Sequence, residues 1–303
     1  MTQETVVEGA AVHKAAKIDV KELIMKIVFI IAAAIFVAAV FTICVFIFVQ
    51  AFPAIREIGL FKFLFSTEWK PDVSGEGTGK YGIGTMIVGS CYITAGALLV
   101  GVPIGFLTAV FMARYCPRPL YRIMKPVTNI LAGIPSIVYG YFGVRVIVPF
   151  VRDNFGGTGF SILTASFVLG IMILPTVISV SESALRAVPK NYFEGAVALG
   201  ATKERAVFRT EVPAAKSGIV TSIILGLGRV IGETMAVVML CGNQVEMPES
   251  VLSGIRTMTA NIVLELGYAT DMHRSALIAT AAVLFVFILL ITLLVSLIRK
   301  KAK

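Results

Sequence analysis

Arg229 and Glu233 are the residues of this 303-residue chain whose types and spacing point most directly to chemistry. Both stand inside the apolar run Ser217 to Gly242, one helical turn apart. An unpaired charge at the centre of a bilayer costs about 2.5–3.5 kcal/mol even on lenient insertion scales, so ionisable groups there usually mark a pathway or a relay. Arginine offers an always-charged planar fork that matches the oxygens of a tetrahedral oxyanion. Glu233 on the same helical face would hold the guanidinium and moderate its grip, because a transport site must release what it attracts. The alternative is a self-neutralised pair that only fixes helix packing. Arg145 is a third substrate-path candidate. It lies a few residues from the end of an earlier apolar run, where it either attracts an anion or snorkels to the headgroups. Glu182 and Arg186, four apart at the end of another run, read as a structural pair.

Other chemistries find no support. No G-x4-G-K-[ST] occurs, the nearest approach being Gly79-Lys80 without the leading glycine, so no ATP-hydrolysing loop is expected in this chain. GLGRVIG at 226–232 has the wrong spacing for a dinucleotide fingerprint. The histidines are His13 and His273, and Cys44, Cys91, Cys116 and Cys241 lie in or beside apolar runs without CxxC spacing, so neither a metal site nor a disulfide framework is expected. The chain should need no cofactor of its own.

The elements that must position these residues are membrane spans. Hydrophobic residues make up 57% of the chain and charged residues 15%, with mean hydropathy +0.89, far from the composition of a soluble domain. The run Ile27 to Phe52 is too long for a secretory signal and reads as a retained anchor. Five more spans are expected near Tyr81–Ala113, Ile123–Phe150, Ser161–Leu185, Ser217–Gly242 and Ser275–Leu297, an all-α integral membrane protein with six transmembrane helices. The domain plan is a tail 1–26, a six-span domain 27–297 and a basic tail 298–303.

Six spans put both termini on one side. That side carries 18 of the 27 basic residues, in the tails, the Arg114–Lys125 turn and the 186–216 segment, while the opposite loops hold seven bases against nine acids. The positive-inside rule therefore makes both termini cytosolic, and the net charge of +9 reflects orientation, not nucleic-acid binding. Two opposite segments are long enough to make contacts, Pro53–Lys80 and Asn243–Arg274. The single tryptophan, Trp69, lies in the first, as an interfacial anchor or part of a docking surface. Gly101-x3-Gly105 and Gly228-x3-Gly232 should allow helices to approach closely, and Pro103, Pro135 and Pro175 should break helices.

A charged stretch, Tyr192 to Ala215, interrupts the apolar runs. Its first half reads as a short helix through Glu194, Ala196 and Leu199, stopped by Gly200 in the left-handed conformation. Thr202 can cap a second helix over Lys203 to Thr210, which Pro213 closes. Two short helices joined at a glycine cannot bury themselves and must pack on a partner or lie on the bilayer.

This stretch resembles the EAA loop of ABC importer permeases, with Glu194, Ala196, Gly200 and Pro213 at matching places and Gly195, Thr210 and Val212 departing from the pattern. Further motifs, LAGIPSIVYG at 131–140, GLGRVIGETMAV at 226–237 and FLFSTEWKP at 63–71, resemble the phosphate-specific members, and the tryptophan segment resembles their PstC-type subunit. The resemblance implies a type I ABC importer permease (MetI-like) fold in a bacterial or archaeal inner membrane. It implies that the loop seats in a groove of a cytosolic ATPase. It also implies partners: a PstA-type second permease, a homodimeric PstB-type ATPase that binds ATP and Mg, a PstS-type phosphate-binding protein and a PhoU-type regulator. Rival readings are a permease for sulfate, molybdate or phosphonate, an ATP-independent carrier or channel, and a non-transporting scaffold.

Overall fold

A computed structural model describes residues 20–72 and 79–301. His13, Lys14 and Lys17 of the first tail, the glycine-rich turn at 73–78 and the side chains of the basic tail 298–303 lie outside the described residues.

The first apolar run forms α1 (Val20–Ile58). Residues 1–46 and 47–303 make two units. In the first, the large apolar side chains point outward on all faces, with Phe29, Phe36 and Phe41 each at least 65% exposed, as befits a helix whose solvent is lipid. The second unit continues with α2 (Leu60–Phe65), two short antiparallel strands, β1 (Trp69–Lys70) and β2 (Lys80–Tyr81), and α3 (Gly84–Val110). A π-helical turn, Phe111–Tyr115, ends that helix. Then come α4 (Arg118–Gly133), α5 (Ser136–Phe142), a second π turn (Gly143–Ile147), α6 (Val148–Phe155) and α7 (Ile162–Arg186). The charged stretch supplies α8 (Lys190–Ala198), α9 (Lys203–Ala206), a third π turn (Val207–Glu211) and α10 (Val212–Ala214). The chain closes with α11 (Lys216–Ile231), α12 (Met235–Leu240), α13 (Met258–Glu265) and α14 (Asp271–Lys301).

Among the described residues, four helices are long and apolar enough to cross a membrane, Lys21–Ile58, Gly84–Tyr115, Ile162–Arg186 and Asp271–Leu297, and the number reaches six if each of two bent pairs counts as one span. The break expected at Pro135 is present: within the run Ile123–Phe150, α4 meets Ser136–Phe155 at 97°. Proline disfavours the helical conformation at the residue before it, and Ile134 is extended at φ −68°, ψ 126°. The run Ser217–Gly242 likewise unwinds at Gly232–Thr234 before α12 resumes. Glycine is a poor helix former, and there the Glu233 carboxylate accepts from the Ala236 N–H at 3.2 Å, supplying the bond that the ladder has lost. Pro103 and Pro175, in contrast, sit inside α3 and α7 without ending them. Neighbouring helices tolerate the missing donor in such spans.

The core is built around α7, whose Leu169, Met172, Ile173 and Val177 are completely buried against Ile93 and Ala97 of α3 and Ala236, Val237 and Leu240 of α12. Glycine sets the α3–α7 approach: a Cβ at Gly101 would lie 2.6 Å from the Gly170 carbonyl oxygen, and one at Gly105 2.9 Å from Val177. The second glycine pair behaves differently. A Cβ at Gly228 would meet nothing within 4 Å, and one at Gly232 only the Gly228 carbonyl, so this spacing belongs to the helix break and not to a close crossing within the chain.

Trp69 is neither a membrane anchor nor a docking surface. It is 4% exposed, stacks edge-on with Tyr81, and its indole N–H donates to the Glu265 carboxylate at 2.9 Å. That carboxylate also meets His273 at 2.8 Å and the Arg256 guanidinium, so the segments 53–81 and 243–274 fold over one another around a buried charge with three partners. At the rim of this layer the exposed ammonium of Lys80 holds the Glu68 carboxyl below its usual range.

Candidate functional site

Two regions hold the residues that the sequence singles out. In the first, α8 ends where Gly200 takes φ +86°. The Gly200 N–H donates to the Val197 carbonyl at 2.9 Å and the Ala201 N–H to the Ala196 carbonyl at 3.1 Å, the paired bonds of a Schellman turn. Thr202 then caps α9, its hydroxyl accepting from the Arg205 N–H at 3.3 Å. Pro213 does not close this second helix. The helix widens through the π turn Val207–Glu211, passes Pro213 and bends by 70° into α11. The widened turn relieves the clash that a proline ring makes with the preceding helical turn.

This bent segment rests on the body along one side only. Val207 and Ala215 are buried with Val110, Leu185, Val188 and Ile219, while Arg114 lies 2.7 Å from the buried carboxylate of Glu211. The other side is open. Glu194 is exposed, Ala196 half-buried, and Leu199 is 91% exposed beside Gly200. With Tyr192 and Val197 also exposed, the knuckle presents apolar side chains to whatever seats against it.

In the second region, Arg229 occupies the last turn of α11 and Glu233 the break that follows. Both are half-buried. The ion pair that their spacing suggests is not made: the unwound step carries Glu233 off the helical face, and its carboxylate turns to the Ala236 N–H while Arg229 donates to the Thr176 hydroxyl at 3.4 Å. No ion pair neutralises Arg229 among the described residues. From above, the Thr259 hydroxyl of α13 donates to the Glu233 carbonyl at 3.0 Å and braces the break. The other broken run adjoins it. A Cβ at Gly140 of α5 would lie 2.8 Å from Met239 Sδ of α12, and the Tyr139 hydroxyl spans the α4–α5 break to the Leu131 carbonyl at 2.8 Å. Two interrupted helices side by side, with a cation at one break, form the kind of irregular backbone that membranes tolerate where it lines a cavity.

Arg145 stands apart from this pair. It is exposed, donates from Nε to the Tyr141 hydroxyl at 3.1 Å and lies over that ring at 5.4 Å, and no contact among the described residues joins it to Arg229. Glu182 proves to be more than the partner of Arg186. It is 1% exposed and takes the Tyr121 hydroxyl, Lys125 and Arg186, each at 2.7 Å, thereby tying α4 to α7. Sequence reading missed Tyr121 and Lys125 as its partners, and also the Arg114–Glu211 pair. A glutamate beside Val212 and four residues after the buried Val207 was the available signal for the latter.

The fold and these two regions define a multi-pass membrane subunit with an open, bent segment at one end and a charged helix break in its interior. The chain belongs to the binding-protein-dependent transport system inner membrane component family, whose model matches residues 101–303. It is 37% identical over 273 residues to the probable ABC transporter permease protein YqgH of Bacillus subtilis, covering 87% of each chain. It is 37% identical over 244 residues to the phosphate transport system permease protein PstC of Xylella fastidiosa (strain 9a5c), covering 74% of each. The Haemophilus influenzae protein of the same name is 34% identical over 289 residues, covering 88% of this chain and 87% of that one. Among solved structures, the fold matches a bacterial alginate ABC transporter with TM-score 0.62 at 14% identity, over 91% of this chain and 93% of that one. It matches the inward-facing MetNI methionine ABC transporter with TM-score 0.57 at 22% identity, over 72% and 96%. The fold is that of type I ABC importer permeases.

Proposed function

We propose that this chain is the PstC-type membrane-spanning subunit of an ATP-driven importer of inorganic phosphate, forming half of the translocation path. The observation that carries the reading is Arg229, a half-buried guanidinium at a helix break with no ion-pair partner among the described residues, in a chain whose relatives include phosphate permeases. Glu233 shapes that site by bracing the break. Arg145, exposed and held over Tyr141, attracts the anion before it reaches Arg229. The knuckle at Glu194, Ala196, Gly200 and Pro213 receives the ATPase. ATP and Mg bind to that homodimeric PstB-type partner and not to this chain. A PstA-type permease supplies the other half of the path, a PstS-type protein delivers phosphate, and a PhoU-type regulator reads the assembly.

Reconstitution with these partners in proteoliposomes tests the reading. Phosphate-loaded binding protein is expected to stimulate ATP hydrolysis and accumulate phosphate, and sulfate-loaded protein to do neither. Equal response to sulfate would replace phosphate by a broader oxyanion class, and accumulation by this chain without any ATPase would make it an autonomous carrier. The excess of basic residues on one side supports a cytosolic location for both termini and segment 192–215. A cysteine at Thr202 is therefore expected to react with an impermeant maleimide only from the cytosolic side, and one at Ser250 only from the other. The opposite pattern would reverse the topology.

A further inference from the structure

Two of the three π turns face each other where the bent segment rests on the bundle. One, Phe111–Tyr115, carries Arg114, and the other, Val207–Glu211, carries Glu211. A π turn inserts one residue into a helix and re-aims the side chains around it, and such turns gather at functional positions. Here Glu211 is aimed into the body and is 1% exposed. Arg114 Nη2 lies 2.7 Å from Glu211 Oε1 and also donates, at 2.6 Å, to the carbonyl of Leu185 at the end of α7. One guanidinium thus joins the bent segment, the end of α3 and the end of α7. Among the described residues it makes the one ion pair between residues 192–215 and the rest.

We propose that the Arg114–Glu211 pair is the joint through which movement of segment 192–215 is passed to α3 and α7, an inference that rests on the reading above that an ATPase drives that segment. The remaining contact is apolar, through Val207, Ala215 and their neighbours, and apolar burial is non-directional. An ion pair has a register. Glu211 is buried and Arg114 partly so, and loss of Arg114 would leave the Glu211 carboxylate uncompensated. The pair is also engaged end-on. Arg114 Nε and both Glu211 oxygens have no hydrogen bond of good geometry among the described residues, so a two-bonded fork is open to the same side chains after a small shift. Two registers of one pair, anchored on a buried carboxylate, make the discrete, switchable contact that carries motion between packed elements.

The test uses the complete transporter in proteoliposomes and reads ATP hydrolysed per phosphate accumulated. Glu211→Gln, which keeps size and shape, and Arg114→Met are expected to copurify with the ATPase, since neither side chain lies on the exposed knuckle. They should raise that ratio by roughly 5- to 150-fold, the usual range of a coupling interaction. The exchange Arg114→Glu with Glu211→Arg should bring the ratio back toward wild type. Single variants at the wild-type ratio, or an exchange no better than the singles, would overturn the joint. Loss of ATPase copurification by Glu211→Gln would overturn it too, by showing that the residue holds the docking surface together. A wild-type complex that couples no ATP hydrolysis to phosphate uptake would instead sink the functional reading itself.

Discussion

Arg229→Gln is expected to abolish phosphate accumulation while leaving the chain membrane-inserted and assembled with its partners. Glutamine is two atoms shorter and gives up the contact with Thr176, but the bonds that brace the break, Ala236 N–H to the Glu233 carboxylate and the Thr259 hydroxyl to the Glu233 carbonyl, do not use Arg229 and remain. The charge is lost. Removing one partner of a buried charge contact costs roughly 2–5 kcal/mol, which corresponds to about thirtyfold to several thousandfold in the step that needs it. Lysine at the same position restores the charge but not the planar fork, and should recover only part of the uptake. Uptake of radiolabelled phosphate, with copurified ATPase as the assembly control, decides the matter. Normal uptake by the glutamine variant would assign Arg229 to packing.

Gly200→Pro should have an effect of similar size by a different route. The native φ of +86° lies on the opposite side of zero from the proline value near −65°, so the turn that ends α8 must be rebuilt and the knuckle re-aimed. No steric contact opposes a side chain there, because a Cβ would meet nothing within 4 Å. Gly200→Asn, which tolerates the left-handed region, is therefore the control and should keep most of the function. In the proline variant we expect the ATPase either to be lost on purification or to hydrolyse ATP without uptake. Coupled transport at the wild-type level would remove this knuckle from the mechanism.

Local chemistry made the knuckle legible in the sequence. The left-handed Gly200 and the Thr202 cap depend on residues within five positions of each other, and both form as read. Long apolar runs were likewise enough to find the membrane-spanning elements. What escaped was decided between elements or by the detailed path of the backbone. Hydropathy does not distinguish a continuous span from a broken one, so the unwinding at Gly232–Thr234 was hidden although the glycine was in view. The helical spacing of Arg229 and Glu233 suggested a pair only on the assumption that the helix continued. Trp69 was read from its neighbours in sequence, yet its partner Glu265 is 196 positions away and no periodicity points to it. The role of Pro213 was mistaken for a related reason: a π turn just upstream changes what a proline does, and no local pattern announces that turn.

The partnership of Trp69 with Glu265 has a practical corollary. Because the chain has a single tryptophan, its tryptophan emission comes from one place, an indole shielded from solvent and bonded to a carboxylate that also meets His273. The protein therefore carries a built-in optical reporter of its loop layer, one that needs no attached dye.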